Sequence, residues 1–147
     1  MLRTLTRTSI ALGAACFVSG CGATAMDDRA STISPRGAEK LERQLAGKVA
    51  GEPINCIPMR NADEAIRISD DILLYRVSNR LVYRNDLAPS CSGLARNSDI
   101  MVVRTVSTQL CDGDIINLVD RTSGSSFGGC ALGKFTPYRT PATAATN

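Results

Sequence analysis

The chain has 147 residues, 44% hydrophobic and 21% charged, with a formal net charge of +3, which bounds it to one domain and excludes the strong basic footprint of a nucleic-acid binder. Histidine is absent, which excludes Ser-His-Asp and Cys-His nucleophile systems and histidine-based zinc or copper sites; no metal or cofactor is signalled. With three Phe, three Tyr and no Trp, the core must be aliphatic, and so small a core usually carries covalent staples.

At the N-terminus, Arg3 and Arg7 precede the apolar run 10–18, followed by the small pair Ser19-Gly20. A basic segment, a short apolar run and small residues mark a secretory signal. Val18-Ser19-Gly20-Cys21 places an aliphatic residue three before a cysteine, with two small residues between. This resembles the processing box of bacterial lipoproteins, which implies cleavage after residue 20 and lipidation (palmitate included) of Cys21. Several acyl chains would give stable anchoring where one would not. Two other readings are a membrane span over 8–26, whose second half is weakly apolar for about 20 spanning residues, and an ordinary secretory signal. By the same resemblance, now to Gram-negative lipoproteins, Gly22 rather than Asp after the cysteine favours the outer membrane over the inner one. The expected protein is lipid-anchored in the envelope and faces the periplasm, with the membrane as partner through Cys21.

Cleavage leaves 127 residues, without Cys16 and with four cysteines beyond the anchor: Cys56, Cys91, Cys111 and Cys130. An even number in an exported chain reads as two disulfides with three possible connectivities. Cys56 and Cys111 stand beside Ile57 and Leu110, in strand contexts, whereas Cys91 and Cys130 stand among Ser and Gly. Pairing like with like favours Cys56–Cys111 and Cys91–Cys130. A site of four thiolates is the formal alternative, without Cys-x-x-Cys spacing.

In chain order, residues 21–33 are small and polar and read as a flexible tether. Ser34-Pro35 looks like a helix start, and Ala38, Leu41, Leu45 and Val49 follow at helical spacing with Glu39, Lys40, Glu42, Arg43 and Lys48 forming the polar face between them, so one amphipathic helix is expected over 34–50, stopped by Gly51 and Pro53. From residue 51 the pattern alternates as in strands. Strands are expected at 54–58, within 66–77 (interrupted by Asp70-Asp71), and at 81–85, 100–106, 109–111, 115–119 and 130–138. Ser78-Asn79 is the expected hairpin turn, Asp112-Gly113-Asp114 a turn or bulge, and 122–129 a loop. About six short strands in 51–139 predict a mainly β fold, an antiparallel meander forming a small barrel or sandwich. Residues 140–147 read as a disordered tail.

From Ala50 to Tyr138 the chain resembles a family of small proteobacterial envelope proteins of unknown function. The matching pieces are Ala50-Gly51-Glu52-Pro53 into Cys56-Ile57-Pro58, the Leu-Tyr and Leu-Val-Tyr strands with Asn85 after them, Gln109-Leu110-Cys111 with Asp114, and Leu132-Gly133-Lys134-Phe135 ending at Pro137-Tyr138. The resemblance implies a shared fold and the Cys56–Cys111 staple, and transfers no activity.

Candidate sites are few. Asp112, Asp114 and Asp120 lack the oxygen-ligand spacing of a calcium loop and read as turn formers. Asp70-Asp71 reads the same way, and the glycine-rich 124–129 follows no phosphate-loop signature. Arg76, Arg80 and Arg84 flank the expected hairpin, with Arg67 and Arg104 on neighbouring strands. On one face they would engage phosphate or carboxylate groups of envelope glycans; otherwise they form a solvated strand face. The expected function is a non-catalytic envelope lipoprotein binding an envelope protein or glycan, with a carboxylate-dependent hydrolase or a periplasmic enzyme inhibitor as alternatives.

Overall fold

The computed structural model describes residues 33–142 except 88, 97 and 106. The expected signal, Cys21, the tether up to residue 32 and the tail from 143 lie outside the described residues. A helix α1 (Pro35–Leu45) is followed by ten strands: β1 (Val49–Ala50), β2 (Cys56–Pro58), β3 (Ala65–Arg67), β4 (Ile72–Ser78), β5 (Leu81–Asp86), β6 (Asp99–Val103), β7 (Gln109–Cys111), β8 (Ile115–Asp120), β9 (Ser126–Ala131) and β10 (Phe135–Arg139). All pair antiparallel, in sheets ordered β1-β10-β5-β4-β3, β2-β7 and β6-β8-β9. Among the described residues the fold is mainly β and sandwich-like, without a closed barrel.

The middle of the five-stranded sheet is buried on both faces because its strands alternate two apolar sets. Ile66, Ile68, Ile72, Leu74 and Val82 meet Leu41 and Leu45 of α1, together with Ile33. Ile33, assigned from sequence to the tether, is thus part of this contact. On the other face Leu73, Tyr75, Tyr83 and Phe135 meet Ile57, Leu110, Ile116 and Leu118 of the smaller sheets, with Leu87, Cys91 and Leu94 from the connecting loop. Each fully buried side chain of this size contributes about 1.5–3 kcal/mol. The order is helix, large sheet, small sheets.

The helix begins as its sequence dictates. Ser34 Oγ accepts the Gly37 N–H (3.2 Å) and Pro35 opens the first turn, satisfying one orphan donor where proline costs nothing. It ends at Leu45, five residues short of the expected 50, because Gly47 takes a left-handed φ of 68° that favours glycine. The chain thereby reverses early enough for Val49 and Ala50 to pair with β10.

Three further expectations change. The hairpin turn is Asn79–Arg80, one residue later than expected, with Ser78 paired to Leu81 and a register shift between Arg76 and Ser78. Neither turn residue has positive φ, and the shift supplies the extra twist that a primed turn would otherwise provide. The expected loop 122–129 contains the start of β9. The single expected strand 130–138 divides at Leu132–Lys134 into β9 and β10, which belong to different sheets. At the tail, Thr140 N–H still donates to Arg80 C=O (3.0 Å).

Both disulfides connect as their contexts suggested: Cys56–Cys111 joins directly opposed residues of β2 and β7, and Cys91–Cys130 ties the 87–95 loop to β9. The Tyr75 ring lies 5.8 Å from that of Phe135, and its hydroxyl is buried with no hydrogen-bond partner among the described residues. Burial raises its pKa above the usual tyrosine value. Since a buried unpaired donor costs about 1–3 kcal/mol, Tyr75→Phe should stabilise the domain by about 1 kcal/mol, read as a higher urea midpoint with unchanged slope. A lower midpoint would mean that the hydroxyl has a partner worth more than its desolvation.

Candidate functional site

Three of the carboxylates singled out in the sequence, those of Asp70, Asp114 and Asp120, hold the fold's own backbone. Asp114 Oδ2 accepts the Cys111 N–H (2.7 Å), and Asp120 Oδ1 accepts those of Thr122 (2.9 Å) and Ser123 (2.7 Å). The latter bonds hold the Asp120 carboxyl below its ordinary pKa, since donors to the charged form favour it. Asp70 Oδ1 accepts the Ala95 N–H (2.8 Å), while the Asp70 and Asp71 carbonyls accept the Cys91 and Leu87 N–H groups. Among the described residues no group of three His, Cys, Asp or Glu gathers as a metal site, and no helix is long and apolar enough to cross a membrane.

Of the sequence-predicted arginines, the structure brings only Arg76 and Arg84 onto one face. Arg76 and Arg84 stand on the helix side of the large sheet, paired in register with Val82 and Leu74. Arg76 forms a salt bridge with Glu64 (2.6 Å). Arg84 donates to both oxygens of Asp86 (Nη2–Oδ1 2.7 Å, Nε–Oδ2 3.1 Å). Burial pulls the Arg84 guanidinium down, but its bonds and charge contacts with Asp86 and Tyr138 more than reverse this and raise its pKa. Arg80 lies in the exposed hairpin turn, and Arg104 follows β6 in another sheet.

A different set of cations converges at the β3 edge of the large sheet. A groove of about 630 Å³ opens there, with Lys40 and Gln44 of α1, Glu64 and Arg67 beside and on β3, and Arg121 just past β8 on its walls. The helical period that turns Leu41 and Leu45 onto the sheet leaves Lys40 and Gln44, four residues apart, on one flank. Lys40 Nζ donates to the Arg67 carbonyl (3.1 Å). The Arg67 guanidinium donates to the carbonyls of Arg96 (Nη1, 3.1 Å) and Asp99 (Nη2, 2.8 Å) at the start of β6. These bonds tie helix, large sheet and small sheet together, and Lys40 covers part of an open sheet edge that would otherwise invite pairing.

These acceptors are neutral carbonyls, so they hold the side chains in place without cancelling their charge. Among the described residues none of Lys40, Arg67 and Arg121 forms a salt bridge. The Arg67 guanidinium is pushed down in pKa, first by burial and further by the charge of Arg121, against an opposing pull from Asp99. Like charges therefore share one open groove, an arrangement that an anion would relieve. Arg67 was a candidate in the sequence; Lys40 read only as part of a polar helix face, and Arg121 carried no signal. No protein family, curated protein or solved structure matches the chain.

Proposed function

We propose that this chain is a non-catalytic lipoprotein of the bacterial envelope, anchored through lipid on Cys21 in the outer membrane and facing the periplasm. Its β domain binds an anionic envelope component in the groove at the β3 edge. The observation that carries the binding role is the convergence of Lys40, Arg67 and Arg121, without salt-bridge partners among the described residues. The anchor is supported by Val18-Ser19-Gly20-Cys21, and the non-catalytic reading by the absence of histidine and by Asp70, Asp114 and Asp120 bonding to backbone N–H groups.

The two halves of this reading are tested separately. In a bacterial host, radiolabelled palmitate should enter the wild-type chain and be lost in Cys21→Ala, whose precursor accumulates; unlabelled wild type released in soluble form defeats the anchor. The full chain in neutral detergent should bind beads bearing polyglutamate or polyphosphate. Lys40→Gln/Arg121→Gln should weaken binding by about tenfold, equivalent to about 1.4 kcal/mol, and added salt should weaken the wild type because the groove is open to screening. Equal retention of variant and wild type removes the groove from the proposal.

A further inference from the structure

We propose that the groove is a site for a phosphate monoester dianion, either soluble or carried on a lipid headgroup; this rests on the anion-binding reading above. Lys40 comes from α1, Arg67 from β3 and Arg121 from the segment after β8. Three cations from three layers suit a tetrahedral group that presents oxygens in several directions. A guanidinium fork fits carboxylate and phosphate alike, so it is the spread of donors over three layers, and not any one arginine, that favours the tetrahedral group. At Arg67 both terminal nitrogens already donate to the Arg96 and Asp99 carbonyls. Of its five N–H donors three remain, so it offers charge and side-on donors rather than an open fork.

The charge count points the same way. Facing the groove or touching its walls are Lys40, Arg67, Arg76 and Arg121, against Glu64, bonded to Arg76, and Asp99, whose charge acts on Arg67. The excess of two positive charges matches the −1.5 to −2 of a phosphate monoester near pH 7. The groove is open to solvent and has a volume of about 630 Å³. It leaves room beside the phosphate for the alcohol part of an ester, with Gln44 on the wall for its hydroxyls.

A pH signature separates this ligand class from carboxylates. The chain has no histidine, the side chain whose ordinary titration falls between pH 5 and 8. A phosphate monoester passes from monoanion to dianion near pH 6. Affinity should therefore rise about tenfold from pH 5 to pH 7, following the dianion fraction of the ligand.

The experiment is calorimetric titration of the full chain in neutral-detergent micelles. Glycerol 3-phosphate is the soluble probe, and phosphatidic acid mixed into the micelles is the lipid-borne one. The expected result is binding of at least one probe, about tenfold tighter at pH 7 than at pH 5. It should weaken about threefold in Arg121→Gln, and separately in Lys40→Gln, with an unchanged circular dichroism spectrum. Phosphatidic acid alone binding identifies a lipid headgroup as the source; glycerol 3-phosphate binding equally well identifies a soluble ester. Binding of polyglutamate with neither phosphate probe bound, or an affinity flat between pH 5 and pH 7, overturns the phosphate assignment and leaves the anion site standing. Failure of polyglutamate, polyphosphate and both esters together overturns the site itself.

Discussion

Replacing the Cys56–Cys111 bridge, as the pair Cys56→Ser/Cys111→Ser, should lower the unfolding free energy by about 4 kcal/mol. The bridge spans 55 residues of chain, and closing a loop of that length removes a large share of the denatured state's freedom. Domains of this size hold about 5–15 kcal/mol in total, so the loss should lower the melting temperature by roughly 15–25 °C. Native structure adds a second reason. β2 and β7 form a separate two-stranded sheet of three paired positions, and two strands alone are marginal in water. Without the bridge, this layer keeps the burial of Ile57 and Leu110 in the core shared with Leu73 and Phe135, and the Ile54–Phe135 backbone pair beside β2. The second bridge, Cys91–Cys130, begins inside the first loop and ends outside it, with a separation of 39. The chain therefore stays cross-linked when either bridge is lost, and the two losses should not add. Urea unfolding monitored by far-ultraviolet circular dichroism reads the effect; a loss under about 1 kcal/mol would show that the staple is dispensable.

The pairing was legible because burial leaves a local trace. Cys56 and Cys111 each neighbour a residue that becomes fully buried, Ile57 and Leu110, and alternation along a strand is a property of the sequence itself. β4, β5 and β8 were legible for the same reason. β9 was not. Its glycines and serine carry almost no strand preference, and it is a strand because β8 offers a partner and Cys130 is bonded to Cys91. There tertiary context decides over propensity. The helix stop was misplaced because Gly47 lies inside an apolar spacing that continues through Val49, and only the φ of 68° separates the two.

For the site, the limit is distance along the chain. That Arg84 meets Asp86 was readable, since residues two apart lie on the same face of a strand. Arg76 meets Glu64 only because β3 folds back on β4. Lys40, Arg67 and Arg121 are separated by dozens of residues and belong to different layers. The helical pattern placed Lys40 on a polar face, but nothing local said that this face borders the edge of a sheet. Convergence of this kind is a consequence of topology.

The junction that divides β9 from β10 leads to the other large effect. Asn85 is fully buried, and its amide clasps the opposing turn: Nδ2 donates to the Gly133 carbonyl (2.6 Å) and Oδ1 accepts the Gly133 N–H (2.9 Å). The side chain thus pairs like a piece of strand backbone where the chain passes between sheets. Asn85→Ala leaves both Gly133 groups without this partner and opens a void, an expected loss of about 3–5 kcal/mol. Asn85→Asp should fare no better, because an ionised carboxylate cannot donate to Gly133 C=O and would be buried unpaired. Gly133→Ala attacks the same contact from the other side. A Cβ there would stand 2.2 Å from the Asp86 carbonyl oxygen, a backbone atom that cannot rotate away, so β5 and the turn must separate at a cost of about 3 kcal/mol or more. Once the clasp is open, the second substitution has little left to break. The Asn85→Ala/Gly133→Ala double variant should therefore lose much less than the sum of the singles, a coupling of roughly 2 kcal/mol in a double-mutant cycle. Strictly additive losses would mean that the two residues act independently and that the junction is held elsewhere.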